Sequence, residues 1–420
     1  MQMDELRILI IAGELPAFPG KGSAIRLLHL SQQLAQDFSL SLICTAPPPD
    51  TLPDLSWFDQ VEFLPFDQKL DSFTGATVAN LPGHETIFKV RNFLLNRPLA
   101  AHFLTPPYLG RLERAIYSLE RRNRAQFHGF LVETDRLAGI VRSIPTHGMA
   151  MLDCHVVSSI NMQAEAEASP RRKKAALSIE ARKALAYEQK MWPKFDMITL
   201  SSAEDKDIIA RRGNMSEEQL THIPNGVSVE HFAFHQGDRK RDTLLFVGDF
   251  ATPSNVEAVQ CLLNDVLPEI RRLYPSMKTV IACRNLDDSI RAMARPYSTA
   301  VEFVVDAKDM LPLYQSAFAF IGPYRSGGGA RLTMLEAMAC GLPVITSTFG
   351  LHGLNVHDRQ QVLVADSPGA FGVALGELLE KKELYSSLQT TARHYVERTH
   401  QWKRIASRIA DLFLHQHTNV

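Results

Sequence analysis

Several things are nearly missing from this chain, and each absence excludes something. The five cysteines, Cys44, Cys154, Cys261, Cys283 and Cys340, are scattered singly. No CxxC pair or zinc spacing occurs among them, so they read as reduced, mostly buried small hydrophobes rather than as a disulfide scaffold or a zinc site. Neither sign of charge dominates, with 45 Lys and Arg against 46 Asp and Glu. Nothing global therefore draws the chain to nucleic acid or to an anionic membrane, and such contacts would need local patches. No segment approaches the ~18 consecutive apolar residues of a membrane span. Met1 to Arg7 lacks the basic start and apolar run of a signal peptide, and a cytoplasmic protein is the expectation. No GxxxxGK[ST] occurs and no GxGxxG follows a leading strand, which makes P-loop NTPase and dinucleotide dehydrogenase poor readings.

What is present is a soluble α/β composition, 45% hydrophobic and 22% charged over 420 residues. A prior of roughly 150 residues per domain makes one core too few. Arg7–Gly13, an apolar run ending in Gly, reads as a buried parallel strand. A loop with Gly20, Lys21, Gly22 and Ser23, a helix from Ala24 to about Gln36 and a strand over Ser39–Cys44 complete a βαβ unit, with the loop at the carboxyl end of the strand, where open α/β sheets bind ligands. The alternation continues through strands near 61–64, 130–133, 149–153 and 197–201, with a helix over 112–122 and a long charged one over 163–191. His222-Ile-Pro-Asn-Gly-Val227 has the turn chemistry of a chain passing between lobes. A second series starts at Thr243–Gly248 and runs through a helix over 255–273, strands at 279–282, 301–305, 317–321 and 361–365, and two closing helices over 368–381 and 383–415. Two doubly wound lobes with a cleft between them is the simplest architecture. The expected boundaries are 1–205 for the first domain and 206–395 for the second, with 396–420 as a helix packing back on the first.

The most informative stretch is Ser326 to Ser347. Gly327, Gly328 and Gly329 allow a close backbone approach, a helix starts directly after them, and Glu336 lies one turn in. Gly341 suits a left-handed C-cap, Pro343 prevents continuation, and Val344 opens the next strand. A helix start offers free N–H groups and about half a positive charge to a phosphate. Arg331 in its first turn is a cation that gains from an anionic ligand. A carboxylate such as Glu336 accepts two hydroxyls of a ribose or hexose. The plainer reading is a glycine turn under a helix, with Leu332, Leu335 and Met338 facing the core. In the first lobe, the loop around Gly22 is either an ordinary βα turn or a backbone surface facing the cleft. Asp153-Cys-His155 follows a strand directly. A lone histidine is more often structural, but at a strand's carboxyl end it can meet a sugar hydroxyl or act as a proton carrier.

These residues, with His222–Val227, Val247-Gly-Asp-Phe250 and Val362 to Pro368, resemble the GT-B fold nucleotide-sugar glycosyltransferases, specifically glycosyltransferase family 4. The likeness is specific over about Thr221 to Phe413. In the first lobe it is thinner, resting on Gly20 to Ser23, Arg26 and Asp153 to His155. The glycine run is similar to that of a branch common among bacterial exopolysaccharide enzymes. The resemblance implies two Rossmann-like domains and a metal-independent, retaining transfer from a nucleotide sugar, without a cofactor, to a glycan or lipid-linked acceptor. It implies that Glu336 holds the donor ribose, that the backbone of Arg331 and Leu332 meets the diphosphate with Gly328 and Gly329 beside it, that Gly22 is the glycine of the first-lobe loop, and that His155 lies near the donor sugar as the catalytic candidate. A glutamate common eight positions before the ribose one is Gly328 here. An Arg and a Lys common after the strand ending at Gly248 are Asp249 and Ser254. Lys21, Arg325 and Arg331 are candidates to replace those cations.

Two other classes stay open: a GT-B epimerase or phosphorylase, and a non-catalytic sugar-nucleotide binding or partner subunit. Arg121 to Arg124 and Arg171 to Lys174 suggest a peripheral contact with anionic lipid at the inner face of a membrane, with a solvated helix face as the plainer reading.

Overall fold

The structure, a computed structural model, describes residues 6–18, 20–67, 104–169 and 171–418. Pro19 and the segment 68–103 lie outside the described residues. The chain divides into two compact units, Met1–Ile223 with Ala406–Val420, and Pro224–Ile405.

The first unit is built on seven strands, β1 (Arg7–Ala12), β2 (Ser39–Cys44), β3 (Gln60–Phe63), β4 (Gly129–Glu133), β5 (Met149–Cys154), β6 (Met197–Leu200) and β7 (Leu220–His222). Their order is β3-β2-β1-β4-β5-β6-β7, and all pairings are parallel. Ile8, Leu9, Ile10 and Ile11 have no exposed surface, as a central parallel strand covered on both faces requires. β7 takes the sheet beyond residue 205, through a stretch whose Pro and Asn-Gly look like a turn. The turn itself starts only at Pro224.

The second unit carries β8 (Lys240–Asp249), β9 (Lys278–Arg284), β10 (Val301–Val305), β11 (Ala317–Gly322), β12 (Val344–Thr346) and β13 (Leu363–Val364). They run β10-β9-β8-β11-β12-β13, again all parallel. Both sheets therefore reverse direction of growth at their first strand, between β1 and β4 and between β8 and β11. Ligand crevices of doubly wound sheets open at the carboxyl ends of such strand pairs.

Three expected helices are interrupted. The segment 163–191 is two helices, Ser158–Ala168 and Arg171–Met191, with helix-ending Pro170 between them in sequence. The helix over 255–273 contains a π-helical turn at Leu262–Val266, ahead of Pro268, which has no N–H to give to the preceding turn. The helix over 383–415 breaks at His400, whose Nδ1 lies 2.6 Å from the Asn225 carbonyl and whose own carbonyl accepts from Val227 N–H at 2.7 Å. Two hydrogen bonds to a neighbouring strand-like segment outweigh continuation of the helix. Among the described residues no helix is long and apolar enough to cross a membrane, and all five cysteines are free and buried.

The last helix, Trp402–Thr418, brings Phe413 onto the first sheet, where a Cβ at Gly129 would stand only 2.5 Å from its ring. Phe413 also meets Phe38 edge-on at 6.3 Å. Phe413→Ala should cost about 3–5 kcal/mol, measured by chemical denaturation of the whole chain. A loss under about 1 kcal/mol would mean that this ring is not a core element.

Candidate functional site

In the second unit the chain leaves β11 at Gly322 and makes the loop Pro323–Ala330 before the helix Leu332–Ala339, whose N-cap, Arg331, gives no side-chain cap. The first N–H to turn back into the helix is that of Met334, on the Arg331 carbonyl, so those of Leu332 and Thr333 are left as donors at the helix start. Gly327 and Gly329 have φ of +102° and +74°, conformations that side chains disfavour. Gly327 also lies against Ser254, whose Oγ would be 2.7 Å from an added Cβ. Gly353, at φ +76°, backs the loop so closely that a Cβ would come within 2.6 Å of Ala330 N. Asn225 Nδ2 donates to the Ala330 carbonyl at 3.0 Å. At the far end the helix closes as expected: Gly341 takes φ +65°, and Leu342 and Gly341 donate back to the carbonyls of Ala337 and Met338.

Glu336 is buried at 9% exposure. Its partner is Tyr314, which is fully buried and donates to Oε2 at 2.6 Å. Among the described residues no cation pairs with it. Burial pushes its pKa up to about 7 against the opposing hydrogen bond from Tyr314.

The expectation that Arg331 is a free cation awaiting an anion is corrected. Its guanidinium lies 3.7 Å from the centroid of the Tyr324 ring and donates to the Ser326 carbonyl at 2.7 Å, so its charge braces the loop. Arg325 is exposed and paired with Asp265 at 2.9 Å. At the two positions that differ from the family pattern, Asp249 accepts from Ala251 N–H at 2.9 Å and Asn285 Nδ2 at 2.6 Å, and Ser254 is buried under Gly327.

In the first unit, Lys21 and Gly22 are exposed at the start of the helix Gly22–Leu34, with Lys21 as an N-cap that makes no side-chain bond. One turn on, Arg26 is fully buried and grips Asp153 through Nε (2.7 Å) and Nη2 (2.8 Å). Thr199 adds a bond to Asp153 Oδ1 at 2.5 Å. His155 Nε2 lies 2.6 Å from Glu133 Oε2 and 3.4 Å from Asp153 Oδ2. Burial alone would lower its pKa, but Glu133 and Asp153 outweigh burial and push it up to about 9. Burial works upward on Asp153 too, yet Arg26 and His155 hold its carboxyl well below the usual range. The two carboxylates therefore favour the protonated form of the His155 imidazole.

The ligand atoms of Glu133, Asp153 and His155 lie within 4.8 Å of one another. Arg26 occupies both Asp153 oxygens, however, and the four groups sum to zero charge, which gives a cation no excess of negative charge to compensate. Sequence reasoning passed over Glu133 and Tyr314. Glu133 was findable by the rule that drew attention to His155, since it ends β4 at the strand reversal. Tyr314 had no local signal, because its helix is the six-residue Leu311–Ser316.

Residues 241–381 match the family model described as Glycosyl transferases group 1, and this segment holds the glycine loop and Glu336. Phosphatidyl-myo-inositol mannosyltransferase of Mycobacterium tuberculosis is 25% identical over 49% of this chain and 57% of its own length. Among solved structures, sucrose-phosphate synthase from Thermosynechococcus elongatus matches with a TM-score of 0.73 at 16% identity, covering 99% of this chain and 100% of that one. HepE of Anabaena, solved with UDP-glucose, matches with a TM-score of 0.65 at 10% identity over 98% and 100%. The fold is thus that of the GT-B glycosyltransferases, and within the second unit residues 241–381 resemble the group 1 glycosyl transferases. It spans about half the length of the curated relatives it matches.

Glu133→Gln should drop the His155 pKa from about 9 towards its ordinary value near 6.5, read by NMR titration of the imidazole. An unchanged midpoint would show that Glu133 does not hold the charge.

Proposed function

We propose that this chain is a retaining, metal-independent glycosyltransferase that takes a sugar from a nucleotide-sugar donor. The observation that carries this reading is the second-unit half-site: an uncapped helix start behind a tight glycine loop, with a buried carboxylate one turn in that no cation pairs with among the described residues. The N–H groups of Leu332 and Thr333 suit a diphosphate, and Glu336 suits the hydroxyls of a ribose. As the anomeric bond breaks, charge grows on the leaving diphosphate, where these fixed dipoles stabilise it most. A phosphate oxygen then takes the acceptor's proton on the same face. His155, whose Nε2 faces Glu133 and whose protonated form the neighbouring carboxylates favour, is proposed as a positive charge at the site. The resemblance favours a donor sugar as its partner. Nucleotide-bound HepE and the mannosyltransferase relatives support a sugar-nucleotide donor without choosing its base.

The acceptor is proposed to be a glycan or a lipid-linked saccharide. Exposed Arg121 and Arg124 on the first unit, with Arg171 and Lys174, supply charge for an anionic surface, although Arg122 and Lys173 pair with Glu62 and Glu165. Binding to vesicles containing phosphatidylglycerol, and not to phosphatidylcholine vesicles, is expected in flotation. Equal behaviour on both would remove the membrane contact.

A non-catalytic sugar-nucleotide binding subunit is the second reading, favoured by Gly328, Asp249 and Ser254 in places where the family carries a glutamate and two cations. A thermal-shift panel of UDP-, GDP-, ADP- and dTDP-sugars should single out one nucleotide that stabilises the wild type and loses its effect on Glu336→Ala. Equal stabilisation of both proteins would overturn the assignment of Glu336. Binding without turnover, over a panel of acceptors and with EDTA present, would favour the subunit.

A further inference from the structure

Three consecutive glycines do not fix the peptide planes around them, so the loop before Leu332 has to be held by other residues. Arg331 holds it from within, on the Ser326 carbonyl. At the helix end of the loop, the Ala330 carbonyl accepts from Asn225 Nδ2 at 3.0 Å. Asn225 stands two residues past Ile223, where the first unit's main segment ends, and is itself held from behind. Its carbonyl lies 2.6 Å from His400 Nδ1, a contact that requires this nitrogen to carry a proton. Nε2 of the same ring lies 2.9 Å from the Tyr395 hydroxyl, and that hydroxyl accepts from the Asn355 N–H at 3.1 Å. Gly353, two residues before Asn355, packs on Ala330 so closely that a Cβ would stand 2.6 Å from its nitrogen. The contacts close a ring that runs from Ala330 through Asn225, His400, Tyr395 and Asn355 and returns by Gly353.

The residues after Asn225 fasten it to the same buried support. An added Cβ on Gly226 would lie 2.5 Å from the Trp402 ring. The Val227 N–H donates to the His400 carbonyl at 2.7 Å, and Val227 pairs in parallel with Gln401. His400 and Trp402 are both buried, and every member of the ring belongs to the second unit.

We infer that Asn225 is a positioning residue for the helix start at Leu332, with His400 and Tyr395 fixing it in turn. A trans peptide points its C=O and N–H to opposite sides. Fastening the Ala330 carbonyl on Asn225 therefore turns the Arg331 N–H away from Asn225 and keeps the carbonyl from swinging towards the helix start. Released, the peptide between Ala330 and Arg331 can rotate beside Gly329, and a carbonyl oxygen turned towards a diphosphate repels it. The N–H groups of Leu332 and Thr333 lose their fixed aim at the same time, and dipoles that must rearrange stabilise an anion less. The inference rests on the donor reading above and goes beyond it, since it gives the turn at 224–227 a part in holding the diphosphate.

The test separates the diphosphate from the nucleoside. UDP, GDP and ADP are compared by calorimetry, and the tightest binder is set against its own nucleoside, measured by competition. Asn225→Ala removes the donor on the Ala330 carbonyl, so diphosphate affinity should fall about tenfold while nucleoside affinity changes by less than about twofold. Tyr395→Phe, which keeps the ring and loses the bridging hydroxyl, should lower the ratio of the two affinities about threefold. A merely structural role would weaken both ligands together. Equal loss for both, or an unchanged ratio in Asn225→Ala, overturns the inference while leaving nucleotide binding intact. An unchanged ratio in Tyr395→Phe alone overturns the part given to His400 and Tyr395. If Asn225→Ala does not fold, Tyr395→Phe decides by the same ratio, and no change there overturns the whole. Failure of the wild type to bind any of the three nucleotides overturns the donor reading and this inference together.

Discussion

Both units obey one constraint: a parallel sheet that grows first to one side and then to the other must leave its connections diverging at the point of reversal. The crossovers after β1 and β4, and those after β8 and β11, pack on opposite faces, and nothing in the sheet fills the space above the paired strand ends. The loop with Gly22 follows β1 and Glu133 ends β4. Asp249 ends β8 and the glycine loop follows β11. The residues with chemistry are therefore gathered by topology before any side-chain contact acts. The contacts described here refine a location that strand order had already set.

What the side chains add is a difference in charge balance between the two sites. In the first unit Arg26, Asp153, Glu133 and His155 neutralise one another, and Arg26 holds Asp153 with two short bonds. Burying charge in this way is tolerable because each member has a partner of opposite sign. The second unit buries one carboxylate with a neutral donor and, among the described residues, no paired cation. A buried charge without a counter-ion, its pKa raised by burial, is a pattern found more often at functional sites than elsewhere.

Much of this was legible in the sequence. Strands such as Ser39–Cys44 are uninterrupted apolar runs, and Gly341 with Pro343 marks the end of the motif helix by backbone chemistry alone. Glycines at 327 and 329 were readable as a loop because few other residues accept their φ. Three features were not. The strand Leu220–His222 is three residues long, too short for any period to show. The break at His400 depends on a bond to Asn225, 175 residues away in sequence. Arg331 looked like a free cation because nothing local says that Tyr324 lies beneath it. Each is a tertiary contact overriding a local pattern, and none leaves a trace within a few residues of itself.

The departures from the family pattern are mutually consistent in the fold. Ser254 is small where a lysine is common, and Gly327 lies against it, so a longer side chain along that line would meet the glycine loop. Asp249 replaces an arginine and is used to fasten Ala251 and Asn285. Arg331, which stands beside the helix start, is turned onto Tyr324 and into the loop's own carbonyl. The result is a loop stiffened by glycine conformation and by an internal cation, with backbone N–H groups as its main offer to an anion. Dipoles held this rigidly need no rearrangement when charge develops on a leaving group. On the proposed donor reading, this preorganisation stands in for part of what two cations supply in the family pattern.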